Sequence, residues 1–256
     1  NFSGSEGSEE CELCPAGYFS DAPPATSCRS CPAGTYSSAA ASSSCSSCPP
    51  DSSSYLGASS PSDCFCLAGF ERGESGNCVP CRNGTFKDSA GNSSCLPCPD
   101  NSTSRTGSRS ISMCICRAGH VGSDGAVCVP CPGGSYKREE GDFPCLPCSP
   151  ASFSSAGSSS CSSCPDNSTS ARGQAACVCV AGYEPVPSSS PLLPSCSLCP
   201  EGRYKPTAGN VACSSCQGNS TSPAGSRAPY NCSCFPGFTR ELVVPWLTCG
   251  GGRARS

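Results

Sequence analysis

Ten Cys-x-x-Cys pairs and four Cys-x-Cys pairs run through this 256-residue chain and hold all but one of its 29 cysteines. Three chemistries use such pairs. Thiolates at this spacing close tetrahedral zinc sites. A dithiol of lowered pKa exchanges disulfides in oxidoreductases. Oxidised, the same sulfurs staple small extracellular folds. A redox dithiol needs a helix N-terminus in a βαβ setting. Cys95-Leu-Pro-Cys98 and Cys145-Leu-Pro-Cys148 carry the proline of such a motif, but no helical periodicity surrounds them. A zinc array would draw on more than the single histidine, His120. Structural disulfides are therefore the leading reading, and a zinc-binding or thiol-redox protein is the alternative.

Other sites are equally absent from the pattern. Calcium-binding modules place acidic oxygens beside the opening cysteine. Here Ser30, Pro80, Pro147 and Leu198 stand there. His120 occupies an aromatic's place in the repeat, so it reads as a packing residue rather than a base. The sequence thus predicts no catalytic residue, no cofactor, no metal ligand and no enzyme.

The elements that must position these cysteines have little else to build with. Ser, Gly and Pro supply 107 residues, whereas Leu, Ile, Val and Phe supply 31. Such a chain cannot bury an apolar core of domain size, so disulfides must replace it. Sixteen basic against nineteen acidic residues supply no basic stripe, which excludes a nucleic-acid binder. No run approaches the ~20 apolar residues of a membrane span. The longest, Leu242 to Leu247, is broken by Pro245. No signal peptide is visible, so the chain reads as a fragment or processed ectodomain, extracellular or at the cell surface. Any membrane anchor is expected outside it.

The cysteine gaps repeat. From Cys31, and again from Cys81, they are 13, 2, 15, 1 and 11 residues. From Cys148 they are 12, 2, 12, 1 and 16, and from Cys199 they are 13, 2, 15, 1 and 14. The resulting organisation is a linker 1–10, a partial module 11–30, modules 31–80 and 81–130, a partial module 131–147, modules 148–198 and 199–249, and a tail 250–256. Gly-x-aromatic follows four opening cysteines, in Gly34-Thr35-Tyr36, Gly84-Thr85-Phe86, Gly134-Ser135-Tyr136 and Gly202-Arg203-Tyr204. Gly-aromatic follows three Cys-x-Cys pairs: Gly69-Phe70, Gly182-Tyr183 and Gly237-Phe238. Each glycine is expected at a turn and each ring over a disulfide. Short hairpin strands are expected near Gly34 to Ser37 and Cys177 to Val180, and loops at Ser52 to Ser62 and Pro185 to Pro194. Tyr55, Phe143, Phe153 and Trp246 are scattered and mark no hot spot.

The order Cys78-Val-Pro-Cys81, Gly84-Thr85-Phe86-Lys87, Gly91, Cys95-Leu-Pro-Cys98-Pro99, Ser102, Gly107, Cys114-Ile-Cys116, Gly119 resembles the tyrosine-protein kinase ephrin type A/B receptor-like repeat family. That family is itself similar to tumour-necrosis-factor-receptor-like repeats. The resemblance covers about Cys11 to Cys249. It implies small disulfide-rich modules, tandem EGF-like or ephrin-receptor-like repeats with short β-hairpins, in an elongated array. It implies a stalk or a protein-interaction or adhesion region whose ligand is an extracellular protein or glycan, with no nucleic-acid partner. No kinase signature accompanies it.

Six cysteines permit fifteen pairings per module. Likeness to an EGF-like plan implies bonds 1–3, 2–4 and 5–6. These are Cys31–Cys48, Cys45–Cys64 and Cys66–Cys78, then Cys81–Cys98, Cys95–Cys114 and Cys116–Cys128. In the later modules they are Cys148–Cys164, Cys161–Cys177 and Cys179–Cys196, then Cys199–Cys216, Cys213–Cys232 and Cys234–Cys249. The partial modules give Cys14–Cys28 and Cys131–Cys145. Cys11 is left over, its partner expected upstream. Each bond closes a loop worth about 3 kcal/mol in the chain-entropy description. Two-residue joints between modules are expected to restrict bending.

Seven Asn-x-Ser/Thr sequons occur, at Asn1, Asn83, Asn92, Asn101, Asn167, Asn219 and Asn231. Asn101, Asn167 and Asn219 each stand three residues after the third cysteine of a module, in one Asn-Ser-Thr-Ser string. They are either repeated glycan sites or turn-forming polar residues.

Overall fold

The computed structural model describes residues 13–21, 27–187, 192–243 and 246–251. Cys11, Asn1 and residues 188–191 of the expected loop Pro185 to Pro194 lie outside the described residues. The chain divides into two compact units, Asn1–Arg117 with Gly122–Cys128, and Ala118–Val121 with Val129–Ser256. Each is built by the same rule. Among the described residues there are fourteen two-stranded antiparallel hairpins, three single turns of 3-10 helix and no α-helix.

One hairpin shows the rule. The chain leaves Cys31, and the Thr35 N–H donates back to the Pro32 carbonyl, with Gly34 at φ +84° between them. This is the turn that favours glycine at its third position. Thr35–Tyr36 then pairs with Ser46–Ser47 in the register Thr35↔Ser47 and Tyr36↔Ser46. The expected strand at Gly34 to Ser37 is therefore present, as is one at Val178–Cys179. Ser52 to Ser62, expected as loop, instead begins with the strand Ser52–Ser53 and ends in the 3-10 turn Pro61–Asp63. Short side chains after a tight turn pair readily even without apolar alternation.

The 3-10 turns explain one irregularity of the spacing. Pro61–Asp63, Ile111–Met113 and Pro229–Asn231 each stand just before the fourth cysteine of a module. All three lie in gaps of 15 residues. The corresponding gap of 12, between Cys164 and Cys177, holds none. Ser60 caps the first turn, accepting from the Ser62 N–H, while the Asp63 carboxylate accepts from the backbone of Ser59 and Ser60. This reciprocal arrangement is a capping box.

The bonds correct the expected pairing. Fourteen disulfides join cysteines that are neighbours in sequence. In place of Cys31–Cys48 and Cys45–Cys64 the structure has Cys31–Cys45 and Cys48–Cys64. In place of Cys81–Cys98 and Cys95–Cys114 it has Cys81–Cys95 and Cys98–Cys114. Cys148–Cys164 and Cys161–Cys177 become Cys148–Cys161 and Cys164–Cys177. Cys199–Cys216 and Cys213–Cys232 become Cys199–Cys213 and Cys216–Cys232. The last bond of each module joins its fifth and sixth cysteines, as in Cys66–Cys78. Cys14 bonds Cys28, and Cys131 bonds Cys145.

The physical reason lies in the strand between the paired cysteines. Cys45 and Cys48 flank the two-residue strand Ser46–Ser47, one entering it and one leaving it. At a rise of ~3.3 Å per residue they stand about 10 Å apart. A disulfide tolerates a Cα separation of only about 7 Å. Cys31, folded back by its turn, reaches the entering cysteine at a Cα distance of 5.8 Å. The leaving cysteine opens the next hairpin. Each Cys-x-x-Cys is thus a hand-over between two loops.

This pairing has a direct check. Partial hydrolysis in concentrated acid, where disulfides do not exchange, cuts within Cys95-Leu96-Pro97-Cys98 and separates Cys95 from Cys98. Non-reducing peptide mapping is expected to find Cys81 linked to Cys95, and Cys98 linked to Cys114. Peptides joining Cys81 to Cys98 would restore the interlaced plan.

The core is sulfur. Among the described buried hydrophobic residues only Ala58, Phe86 and Ala228 are not cysteine. The aliphatic residues inside the Cys-x-x-Cys strands, such as Val79, Leu96, Val129, Leu146 and Leu198, face solvent. Phe86 is buried, whereas Tyr36, Tyr136 and Tyr204 are only half-buried.

Candidate functional site

The chain has three lysines, and all three are buried. Lys87, Lys137 and Lys205 each stand directly after the first strand of a hairpin, in the strings Gly-Thr-Phe-Lys, Gly-Ser-Tyr-Lys and Gly-Arg-Tyr-Lys. Each is 2% exposed. The ammonium meets carbonyl oxygens. Lys87 Nζ donates to Phe70 O at 2.9 Å and to Gly91 O. Lys137 Nζ donates to His120 O at 2.6 Å and to Gly141 O. Lys205 Nζ donates to Tyr183 O at 2.8 Å, Cys179 O at 3.5 Å and Gly209 O.

One acceptor in each set lies in the preceding hairpin and one in the lysine's own loop. The lysine therefore crosses the joints Cys78-Val-Pro-Cys81, Cys128-Val-Pro-Cys131 and Cys196-Ser-Leu-Cys199. Carboxylates assist at two of them. Glu71 Oε2 accepts from the Cys95 N–H at 2.9 Å, and Glu184 Oε2 accepts from the Cys213 N–H at 2.8 Å. Val121 takes the equivalent place at the middle joint. Burial pushes the Lys87 and Lys205 ammonium groups below their ordinary pKa, and the nearby charges of Glu71 and Glu184 oppose that shift.

Backbone bonds complete each joint. The Gly69 N–H donates to the Lys87 carbonyl, Gly119 to Lys137 and Gly182 to Lys205, at 2.8 to 3.0 Å. The Cys81, Cys131 and Cys199 N–H groups donate back to the same three glycines. At other Cys-x-x-Cys joints a buried serine replaces the lysine. Ser54, Ser104, Ser154, Ser170 and Ser222 donate their hydroxyls to carbonyls of the preceding hairpin's strand. The long side chain thus stands in the hairpins that follow Cys81, Cys131 and Cys199, and a serine in those that follow Cys48, Cys98, Cys148, Cys164 and Cys216.

Sequence reasoning missed the lysines. The signal was available: three lysines, all at one repeat position, with arginine the only other cation. Acylation of the native protein with a water-soluble N-hydroxysuccinimide ester is expected to modify the α-amino group and none of the three lysines. After reduction and denaturation all three should react. Fast native labelling at Lys87, Lys137 or Lys205 would contradict this burial.

Every described cysteine is committed to a disulfide, so none of them stands as a thiolate for the zinc or redox alternative. His120 lies on the strand His120–Val121, its Nδ1 3.1 Å from the Ala118 carbonyl. Tyr55 packs its ring against Phe65 at 4.8 Å while remaining largely exposed. Phe143 is exposed and Phe153 half-buried. The side chain of Trp246 lies outside the description.

The three repeated asparagines share one conformation. Asn101, Asn167 and Asn219 have φ of 59°, 60° and 62°, and all are exposed. They hold the position that glycine holds in other hairpins, and asparagine tolerates this left-handed backbone. Asn101 Nδ2 donates to Cys128 O at 3.1 Å, and Asn219 Nδ2 to Cys249 O at 3.4 Å. Asn83, Asn92 and Asn231 are exposed as well.

Disulfide-closed hairpins in tandem, without an α-helix or an aliphatic core among the described residues, define a cysteine-rich repeat protein. Four segments, residues 1–34, 23–64, 70–114 and 189–232, match the family described as "Tyrosine-protein kinase ephrin type A/B receptor-like". Together they span more than half of the sequence, and the chain belongs to this family. Over 69 residues, 27% of this chain and 6% of the relative, it is 44% identical to Ephrin type-B receptor 6 of Mus musculus. The human (Homo sapiens) receptor is 41% identical over the same extent. Over 73 residues, 27% of this chain and 2% of the relative, it is 40% identical to "Sushi, von Willebrand factor type A, EGF and pentraxin domain-containing protein 1" of Rattus norvegicus. The chain spans a small fraction of the curated relatives it matches. Repeats of this family are non-catalytic modules. With their disulfides they point to an extracellular interaction region. Among the described residues no helix is long and apolar enough to cross a membrane.

Proposed function

We propose that this chain is a non-enzymatic extracellular array that acts as a stalk or as a protein-interaction or adhesion region of a cell-surface or secreted protein. Its modules run 31–80, 81–130, 148–198 and 199–249, with partial modules at 11–30 and 131–147. Its ligand is an extracellular protein or glycan, and any membrane contact comes through segments outside this chain. The observation that carries the reading is the joint. The boundaries before Cys81, Cys131 and Cys199 are each held by a buried lysine and a reciprocal pair of backbone bonds, so the hairpins on either side are fixed to each other. Fixed joints suit a chain whose task is to hold a surface at a set place.

Hydrogen exchange tests this. The amides of Gly69, Gly119 and Gly182 are expected to exchange at rates matching the strands beside them. The protein, expressed behind a secretion signal, should leave a eukaryotic cell with its described cysteines resistant to alkylation. Cell retention with many alkylated thiols, or joint amides that exchange as fast as open loops, overturns the reading. Attachment of cells to the immobilised chain separates adhesion from simple spacing.

A further inference from the structure

The sequon asparagines raise a question of order. A glycosyl transferase that reads Asn-x-Ser/Thr must reach the amide and the hydroxyl two residues on. In the folded hairpin the backbone of the sequon is held in structure. Thr103, Thr169 and Thr221 lie on strands, paired with Ile115, Val178 and Ser233. Ser102, Ser168 and Ser220 between them donate their hydroxyls to Pro99 O, Pro165 O and Gln217 O. The bonds Cys98–Cys114, Cys164–Cys177 and Cys216–Cys232 close the hairpins that contain these strands.

Asn92 provides an internal contrast. Asn92-Ser93-Ser94 lies in the loop between the strands Thr85–Phe86 and Leu96–Pro97, and all three residues are exposed and unpaired by any strand. It belongs to the same chain and obeys the same sequence rule, yet no ladder holds it.

We infer that Asn101, Asn167 and Asn219 accept an N-linked oligosaccharide only before their hairpins close, so that disulfide formation sets their occupancy. The inference rests on the extracellular reading above, since the donor is a lipid-pyrophosphate-linked oligosaccharide of the secretory route. In the transfer, the amide Nδ2 forms a bond to the sugar C1. The C1–O bond to pyrophosphate breaks, the lipid pyrophosphate leaves with the electron pair, and one amide proton passes to a base on the transferase. The product fits the finished fold. Each asparagine is exposed, and Nδ2 keeps one N–H. At Asn101 that N–H suffices for the bond to Cys128 O, and at Asn219 for the bond to Cys249 O.

The test uses the full chain, secreted from mammalian cells, with site occupancy read from peptides released by N-glycosidase in ¹⁸O-water. A dithiothreitol pulse during synthesis is expected to raise the ratio of occupied to empty Asn101, Asn167 and Asn219 several-fold, leaving Asn92 unchanged. The paired variant Cys98→Ser/Cys114→Ser should raise Asn101 alone. Occupancy that is complete without reductant, that stays fixed on reduction, or that rises equally at Asn92 overturns the inference. Absence of glycan at every site in a secreted, fully disulfide-bonded protein overturns it while leaving the extracellular reading intact. Retention in the cell with free thiols sinks both.

Discussion

Lys87→Met is expected to loosen the joint between the first two full modules without unfolding the hairpins on either side. The substitution keeps the length and apolar stem of the side chain, so packing changes little. It removes the donor to Phe70 O and Gly91 O, and leaves buried carbonyl oxygens without it. Charged hydrogen bonds of this kind are worth about 1.5–3 kcal/mol each, and part of the loss is offset because no ammonium need be desolvated. A net cost of about 2–4 kcal/mol is therefore expected, confined to one joint. In a repeat array such a loss appears as local opening rather than a lower single midpoint. The Gly69 and Lys87 amides should lose protection by about one and a half to three orders of magnitude, at about 1.4 kcal/mol per factor of ten. The Gly182 amide, at the corresponding joint of the other unit, should be unchanged. Equal protection in variant and parent would mean that the lysine is buried without holding anything.

The same residue gives the joint a pH dependence of known sign. Burial lowers the folded-state pKa of Lys87 below its ordinary 10.5. Between that lowered value and 10.5 the unfolded state binds more protons than the folded one, so stability rises with pH there. Below the folded-state value both states are protonated and the contribution is flat. The rise should be present in the parent protein, absent in Lys87→Met, and measured with any free thiol alkylated so that bonds do not exchange.

How much of this could be read from the sequence depends on which physical constraint each feature obeys. Composition forces the sulfur core, because no aliphatic set could replace it. The module repeat is equally open, since gap lengths record loop lengths directly. The pairing was not legible, because it depends on a two-residue strand lying between Cys45 and Cys48, and Ser46-Ser47 carries no strand pattern. The same blindness hid the strand at Ser52–Ser53. The lysines were visible as letters but not as a site. A polar residue beside an aromatic reads as exposed until the carbonyls around it are placed. Asn101, Asn167 and Asn219 stood out by position alone, and their left-handed backbone supplies a structural reason for asparagine there besides any glycan.

The glycines separate two demands that sequence cannot distinguish, and a matched pair of substitutions measures the difference. Gly84 and Gly119 have nearly the same backbone conformation, at φ +78° and +79°. An added Cβ at Gly84 meets nothing nearer than Thr103 Oγ1 at 3.8 Å. At Gly119 it meets the Gly157 carbonyl oxygen at 2.1 Å and the carbonyl carbon at 2.7 Å, both backbone atoms. Gly84→Ala therefore incurs only the left-handed strain of an alanine, about 1–2 kcal/mol. Gly119→Ala adds a clash that no rotamer relieves, because the obstacle is the main chain of a hairpin further along. Gly157 is tied in turn, its N–H donating to Cys131 O at 2.9 Å. The clash must be met by moving that turn or by breaking the joint bonds that Gly119 makes to Lys137 and Cys131. A loss of about 4 kcal/mol or more is expected, in the range of strongly destabilising core changes. Secretion yield, protease resistance and exchange of the Lys137 and Cys131 amides should all fall for Gly119→Ala and stay near the parent for Gly84→Ala. Equal costs at the two positions would show that positive φ alone selects these glycines. The close approach of hairpin to hairpin would then have no part in holding the array.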